Sequence, residues 1–204
     1  MKLLFFDTET TSIKPGSICQ LSYITVDASA KPQITKGHNY FFSVDEMDPS
    51  AQEVHGFSME KLYELSNGQY FEDLYENFIN DFKEADFLIG HNVNFDIKFL
   101  KHELECLGEI FIPKDKFCTM AYYKNICDIK NPNGNTKNPR LSEVVDFLKI
   151  TENDISEHSK KLFQSSEAYH DARFDTTATY LTVIYGLKKG FIKRGYFSNI
   201  LKNK

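Results

Sequence analysis

An apolar run that ends in two carboxylates lies almost at the start of the chain. Residues 3–12 read LLFFDTETTS, four apolar residues followed by Asp7 and Glu9. A short apolar run of this kind suits a buried strand. Side chains two apart in a strand point the same way, about 6.8 Å apart at about 3.4 Å per residue. Asp7 and Glu9 therefore share a face. Two anions there repel, and a hard divalent cation between them removes the conflict, because such ions take carboxylate oxygens. Alone, the pair equally fits a strand that ends at solvent.

The rest of the chain sets the frame for that strand. Its 204 residues, 41% hydrophobic and 26% charged, predict one soluble globular domain and exclude a disordered chain. Residues 17–27 and 38–45 read as two more strands joined through a hairpin connection at 28–37. Phe71, Leu74, Tyr75, Phe78, Ile79 and Phe82 fall on one helical stripe, so the spacing predicts a helix over 71–86. A short buried strand (87–90), a helix (94–107), a small strand near 116–119 and a helix (120–127) follow. Residues 128–140 are loop by composition, and 141–150 read as a helix. Residues 151–168 are polar and ambiguous. Residues 170–187 read as a last long helix that ends near Gly190. Strands first, then alternating helices and strands, predict a mixed sheet with helices packed on it.

Charge and cysteine usage narrow the function classes. The net charge of −5 excludes a generic polyanion binder. The charge is uneven, however. The segment after Leu187 holds Lys188, Lys189, Lys193, Arg194, Lys202 and Lys204 with no acid, while the remainder carries −11. A nucleic-acid partner must therefore use a local patch. Residues 188–204 are expected to pack on the domain, dock a partner or hold the nucleic-acid backbone. The four cysteines show no Cys-x-x-Cys spacing, which argues against a zinc site or disulfide framework. No apolar run has the length of a signal peptide or membrane span. A cytoplasmic protein without a membrane partner is the expectation.

Two further segments add acids. IGHNVNFDIKFL (89–100) leads from a strand into a helix and puts Asp96 in the first turn, where an aspartate also serves the helix dipole. YHDARFDTTATYL (169–181) puts His170 five residues before Asp175, a little over one helical turn away. Asp171 lies four residues before Asp175, so these residues alone leave open which acid faces a site.

Together, DTETT near the N-terminus, HNxxFD in mid-chain and H-x-x-x-x-D near the C-terminus resemble the DEDDh branch of the DnaQ-like 3′–5′ exonucleases. That family includes the proofreading epsilon subunit of bacterial DNA polymerase III, ribonuclease T and oligoribonuclease. The resemblance runs in order from Lys2 to about Leu187, with lesser matches in VHGFS (54–58), CTM (118–120) and PRLSEVVDFLKI (139–150). It implies an α/β chain with a ribonuclease H-like fold, a five-stranded mixed sheet flanked by helices, over residues 1–187.

The resemblance also assigns roles. Asp7, Glu9, Asp96 and Asp175 become metal ligands, with Asp175 chosen over Asp171, and His170 becomes the general base. Two divalent ions, Mg²⁺ or Mn²⁺, are the implied cofactors. Thr8, Thr10, Ile13, His55, Asn92 and Phe95 are the implied substrate contacts, with Ile13 and Phe95 wedging or stacking on bases. For Phe95, a plain core role is an equal reading. Ser12 stands where the family usually has glycine, which alters the expected sugar pocket. The implied function is removal of nucleoside monophosphates from single-stranded DNA 3′ ends, in proofreading or repair, with a DNA polymerase subunit as a partner. An RNA-trimming exonuclease is the alternative, and a non-catalytic polymerase-associated module is a further one. Nothing in the residues decides the oligomeric state.

Overall fold

The computed structural model describes residues 1–14, 16–164 and 170–202. Five strands form one mixed sheet in the order β3-β2-β1-β4-β5. They are β1 (Lys2–Thr10), β2 (Ile18–Asp27), β3 (Ile34–Phe41), β4 (Phe87–Gly90) and β5 (Lys116–Cys118). Strands β1, β2 and β3 pair antiparallel, whereas β4 runs parallel to β1 and to β5. The expected five-stranded mixed sheet is thus the one that forms.

The helices are α1 (Pro49–His55), α2 (Met59–Ser66), α3 (Phe71–Leu74), α4 (Ile79–Glu84), α5 (Val93–Cys106), α6 (Thr119–Cys127), α7 (Leu141–Phe147), α8 (Glu152–Phe163), α9 (Ala172–Lys189) and α10 (Tyr196–Lys202). Among the described residues, no helix is long and apolar enough to cross a membrane. All four cysteines are free.

Strand β1 is apolar on both faces because both faces are covered. Leu4 and Phe6 pack with Phe78, Phe82, Phe99 and Leu100 on the side of α4 and α5. Leu3 and Phe5 pack on the opposite side with Val183 of α9 and Phe197 of α10. Burying a large apolar side chain of this kind contributes about 1.5–3 kcal/mol. The same alternation continues past Phe6. Thr8 then faces α5, and Asp7 and Glu9 face α9.

Three elements differ from the sequence expectation. Strand β3 begins at Ile34, not at residue 38, because Ile34–Gly37 complete the ladder opposite Ile24–Asp27. Gly37 is required there: an added Cβ would lie 2.7 Å from the Leu162 carbonyl oxygen of α8. The helix expected over 71–86 is broken into α3, a 3-10 turn (Tyr75–Asn77) and α4. Phe71, Phe78 and Phe82 still meet edge to face at 5.5 and 6.1 Å, so packing keeps the stripe while the helical ladder gives way. The polar stretch after Ile150 contains α8, started by a capping box between Thr151 and Asp154. Residues 165–168 of that stretch lie outside the described residues.

The chain end returns to the sheet. Gly190 terminates α9 in the left-handed conformation. Beyond it, Ile192 and Phe197 are buried, and Phe197 lies 5.2 Å from both Phe87 and Phe117, edge to face.

Candidate active site

At the C-terminal end of β1, three carboxylates converge. Asp7 and Glu9 come from β1 and Asp175 from the first turn of α9. One oxygen of each lies within 4.8 Å of the others. Burial pushes the Asp7 and Glu9 carboxyls well above the usual range, and the neighbouring acids push the same way. Burial raises Asp175 to about 7. Its Oδ2 accepts from the His170 backbone N–H at 3.2 Å. Its Oδ1 is buried and has no hydrogen-bond partner among the described residues. A buried carboxylate oxygen without a donor is costly, and a cation is what would satisfy it.

Asp96 reaches the same strand end from the other side of the sheet. It sits in the first turn of α5 and is buried. Its Oδ1 accepts from the Thr8 backbone N–H at 3.2 Å and the Thr8 hydroxyl at 2.8 Å. Burial raises its carboxyl to about 7 against the pull of those bonds. Of the neighbouring acids it is also the one that raises Asp7 most. Two faces of one strand therefore deliver acids to one end: three from the α9 side and one from the α5 side. All donors are hard oxygens, a set that suits Mg²⁺ or Mn²⁺.

Asp171 and Asp175 have different surroundings. Asp171 caps α9, accepting from the Arg173 backbone at 2.9 Å. Its carboxylate also takes the Arg173 guanidinium at 2.8 and 2.7 Å. Gln20 holds this helix start in place. Its Nε2 donates to Asp171 Oδ1 at 3.2 Å, and its Oε1 accepts from the Ala172 N–H at 3.0 Å. Gln20 is fully buried and sits directly opposite Glu9 in the β1–β2 register. Sequence reasoning missed Gln20 and Arg173. The signal was present: Gln20 and Ser22 are polar at period two in the otherwise apolar stretch Ile18–Ile24, opposite Glu9 and Asp7 across the ladder.

His170 is not part of the last helix as expected. It precedes the N-cap, is exposed, and has a φ of 66°. Asp171 takes the cap position, so the helix begins at Ala172, two residues after His170. The backbone of His170, not its ring, is what contacts Asp175.

The other sequence-predicted contacts are scattered around the acids. The Thr8 hydroxyl is engaged with Asp96. The Thr10 hydroxyl donates to the Ser12 carbonyl at 2.9 Å, beside a bulge between Glu9 and Thr10. Ile13 is 83% exposed. His55 is half-buried: its Nδ1 accepts from the Phe57 N–H at 3.0 Å, and its ring bonds the Thr10 backbone. Burial keeps its pKa below the usual histidine value. Asn92 is exposed at the α5 N-cap with a φ of 71°. Phe95 is half-buried, its ring 4.7 Å from that of Phe99.

Comparison with known proteins supplies an independent line. The family model described as Exonuclease matches residues 4–181. The DNA polymerase III subunit epsilon of Rickettsia felis is 34% identical over 113 residues, covering 52% of this chain and 46% of that protein. Its counterpart in Buchnera aphidicola is 27% identical over 125 residues, covering 58% and 51%. The chain thus spans about half the length of the curated relatives it matches. Among solved structures, an exonuclease I superposes with a TM-score of 0.71 over 98% of this chain and 43% of that one, at 16% identity. An E. coli exonuclease I bound to an oligonucleotide gives 0.70 over the same shares, at 14% identity. These likenesses identify the sheet and its helices as a ribonuclease H-like fold.

Proposed function

Because this chain belongs to the exonuclease family, among the DnaQ-like 3′–5′ exonucleases, we propose that it is a metal-dependent hydrolase of single-stranded DNA 3′ ends. The reading has it release nucleoside monophosphates in the cytoplasm, in proofreading or repair, with a DNA polymerase as a partner. One observation carries the metal dependence: Asp175 Oδ1, buried and without a hydrogen-bond partner among the described residues, belongs to one of three mutually repelling carboxylates. The names of the relatives support DNA over RNA and the polymerase partnership.

The residues divide the work as follows. Asp7, Glu9 and Asp175 would hold one ion, and Asp7 with Asp96 a second. Metal held by these residues would supply Lewis-acid polarisation of the scissile phosphate, a more acidic attacking water and charge stabilisation of the leaving oxygen. His170 would accept the proton of that water, which a ring can do only in its neutral form. Its place on an exposed link before α9, with its backbone N–H on Asp175, supports that role. Ile13 and Phe95 would hold the terminal bases apart, and Thr10, His55 and Asn92 would line the terminal sugar.

Digestion of 5′-labelled single-stranded DNA, duplex DNA and RNA, with Mg²⁺ or with EDTA, tests the reading. A one-nucleotide ladder from the 3′ end, strongest on single-stranded DNA and absent with EDTA, is expected. Full activity after exhaustive chelation would sink the metal assignment. A ladder strongest on RNA would move the substrate to RNA ends.

A further inference from the structure

The acid cluster gives a nucleic-acid strand no electrostatic reason to approach, and the chain as a whole is anionic. One surface near the cluster has the opposite character. Along the solvent side of α5, Asn94, Lys98 and Lys101 follow one another at helical spacing, and Lys116 of β5 joins them. With His102 they surround an open hollow of about 380 Å³, in which Glu105 at the far end is the one acid. Lys98 and Lys101 make no ion pair among the described residues. Lys116 donates to the Asn94 side-chain oxygen at 2.6 Å, which turns its ammonium into the hollow's upper end.

Position and dimension both fit a strand. The hollow starts at the N-terminus of α5, the same turn that carries Asp96 to the acid cluster. From Asn94 to Lys101 the helix rises about 10.5 Å. Lys98 and Lys101, about 4.5 Å apart along that axis, can therefore face the backbone of one extended strand together with Lys116. A merely solvated lysine face would not need β5 to contribute a lysine to the same hollow.

We propose that this Lys98–Lys101–Lys116 groove binds the phosphate backbone of the strand leaving the active site, on the 5′ side of the scissile bond. The inference rests on the exonuclease reading, and it adds where the rest of the strand lies. The groove reads phosphates and no bases, so it carries no sequence preference.

The test separates the groove from the chemistry. Binding of a fluorescent single-stranded oligonucleotide to the full chain is followed by anisotropy in EDTA across a range of salt concentrations. Each phosphate contact on a single strand contributes about 0.7 to the slope of log affinity against log salt. The double variant Lys98→Gln with Lys101→Gln should lose about 1.4 from that slope, and Lys116→Gln alone about 0.7. All three positions are exposed or half-buried, so folding is expected to survive, and circular dichroism checks it. Slopes equal to the wild type in folded variants would overturn the groove and leave it to an acidic protein surface or to solvation. Cleavage of the same oligonucleotide by the wild-type chain with Mg²⁺ is scored separately. A chain that binds with the expected slopes but never cleaves would refute the hydrolase reading and keep the groove.

Discussion

Asp175 is the residue on which the metal reading turns. Both it and Asp96 are pushed up to about 7, chiefly by burial. A carboxyl raised in the folded state binds more protons folded than unfolded between its ordinary value of 3.8 and about 7. Stability of the metal-free protein therefore falls as pH rises through that window. Its melting midpoint should be lower at neutral pH than near pH 5, a typical carboxyl-titrating condition, and Mn²⁺ should narrow the difference. Asp175→Asn should raise the metal-free midpoint at neutral pH by removing one buried anion. The same change should cut turnover by more than about 100-fold, since losing a group that only supports a ligand already costs about 10–100-fold. A metal-free midpoint that is flat in pH and unmoved by Asp175→Asn would show that the acids do not repel as described. The pairing of Asp7 with Glu9 was legible in the sequence, because strand geometry places residues two apart on one face. The different surroundings of Asp171 and Asp175 were not, because both lie near one helix start and only the cap, with Arg173, separates them.

At the level of elements, the position of α9 depends on a side chain in a different strand. Gln20 meets the Asp171 carboxylate and the Ala172 N–H together, and its Nε2 also reaches Asn39 at 2.9 Å. Opposite Glu9, it fixes the distance between β1 and the turn of α9 that carries Asp175. Gln20→Leu would leave buried polar groups unpaired, each costing about 1–3 kcal/mol. Urea unfolding should show a loss of that order. As a positioning residue, Gln20 should also affect more than stability. The Mn²⁺ concentration needed for half-maximal rate should rise about 10–100-fold, whereas a purely structural loss would leave it unchanged in the folded fraction. Elements were legible where one local rule ruled. Strands β1 and β4 are apolar runs, β2 is rich in β-formers, and α5 buries Val93, Ile97, Leu100 and Leu104 at helical spacing. The broken helix after Tyr70 and the early start of β3 were not, because ring packing around Phe78 and the ladder to β2 decide them, and both are tertiary contacts.

Across the whole molecule, the cationic C-terminal segment and the acid cluster sit at different places. The segment packs where the strands begin: Phe197 touches Phe87, the first residue of β4, and belongs to the cluster that contains Leu3. Leu3 and Asp7 are four residues apart on β1, about 13.6 Å at about 3.4 Å per residue. The segment after Leu187 is therefore better placed to close the hydrophobic core than to guide a strand into the site. Its charge pattern alone suggested either role, because composition says how many cations a segment holds and not which end of a sheet its apolar side covers. Phe197→Ala should cost about 3–5 kcal/mol, the usual range for removing a buried phenylalanine. That is a large share of the roughly 5–15 kcal/mol by which domains are stable. The folded fraction of this variant should bind single-stranded oligonucleotide with the wild-type salt slope, unlike the Lys98 and Lys101 variants. Urea midpoints and salt slopes measured on one preparation decide the matter. An unchanged midpoint would mean that the chain end is an appendage, and a shallower slope would return the phosphate role to it.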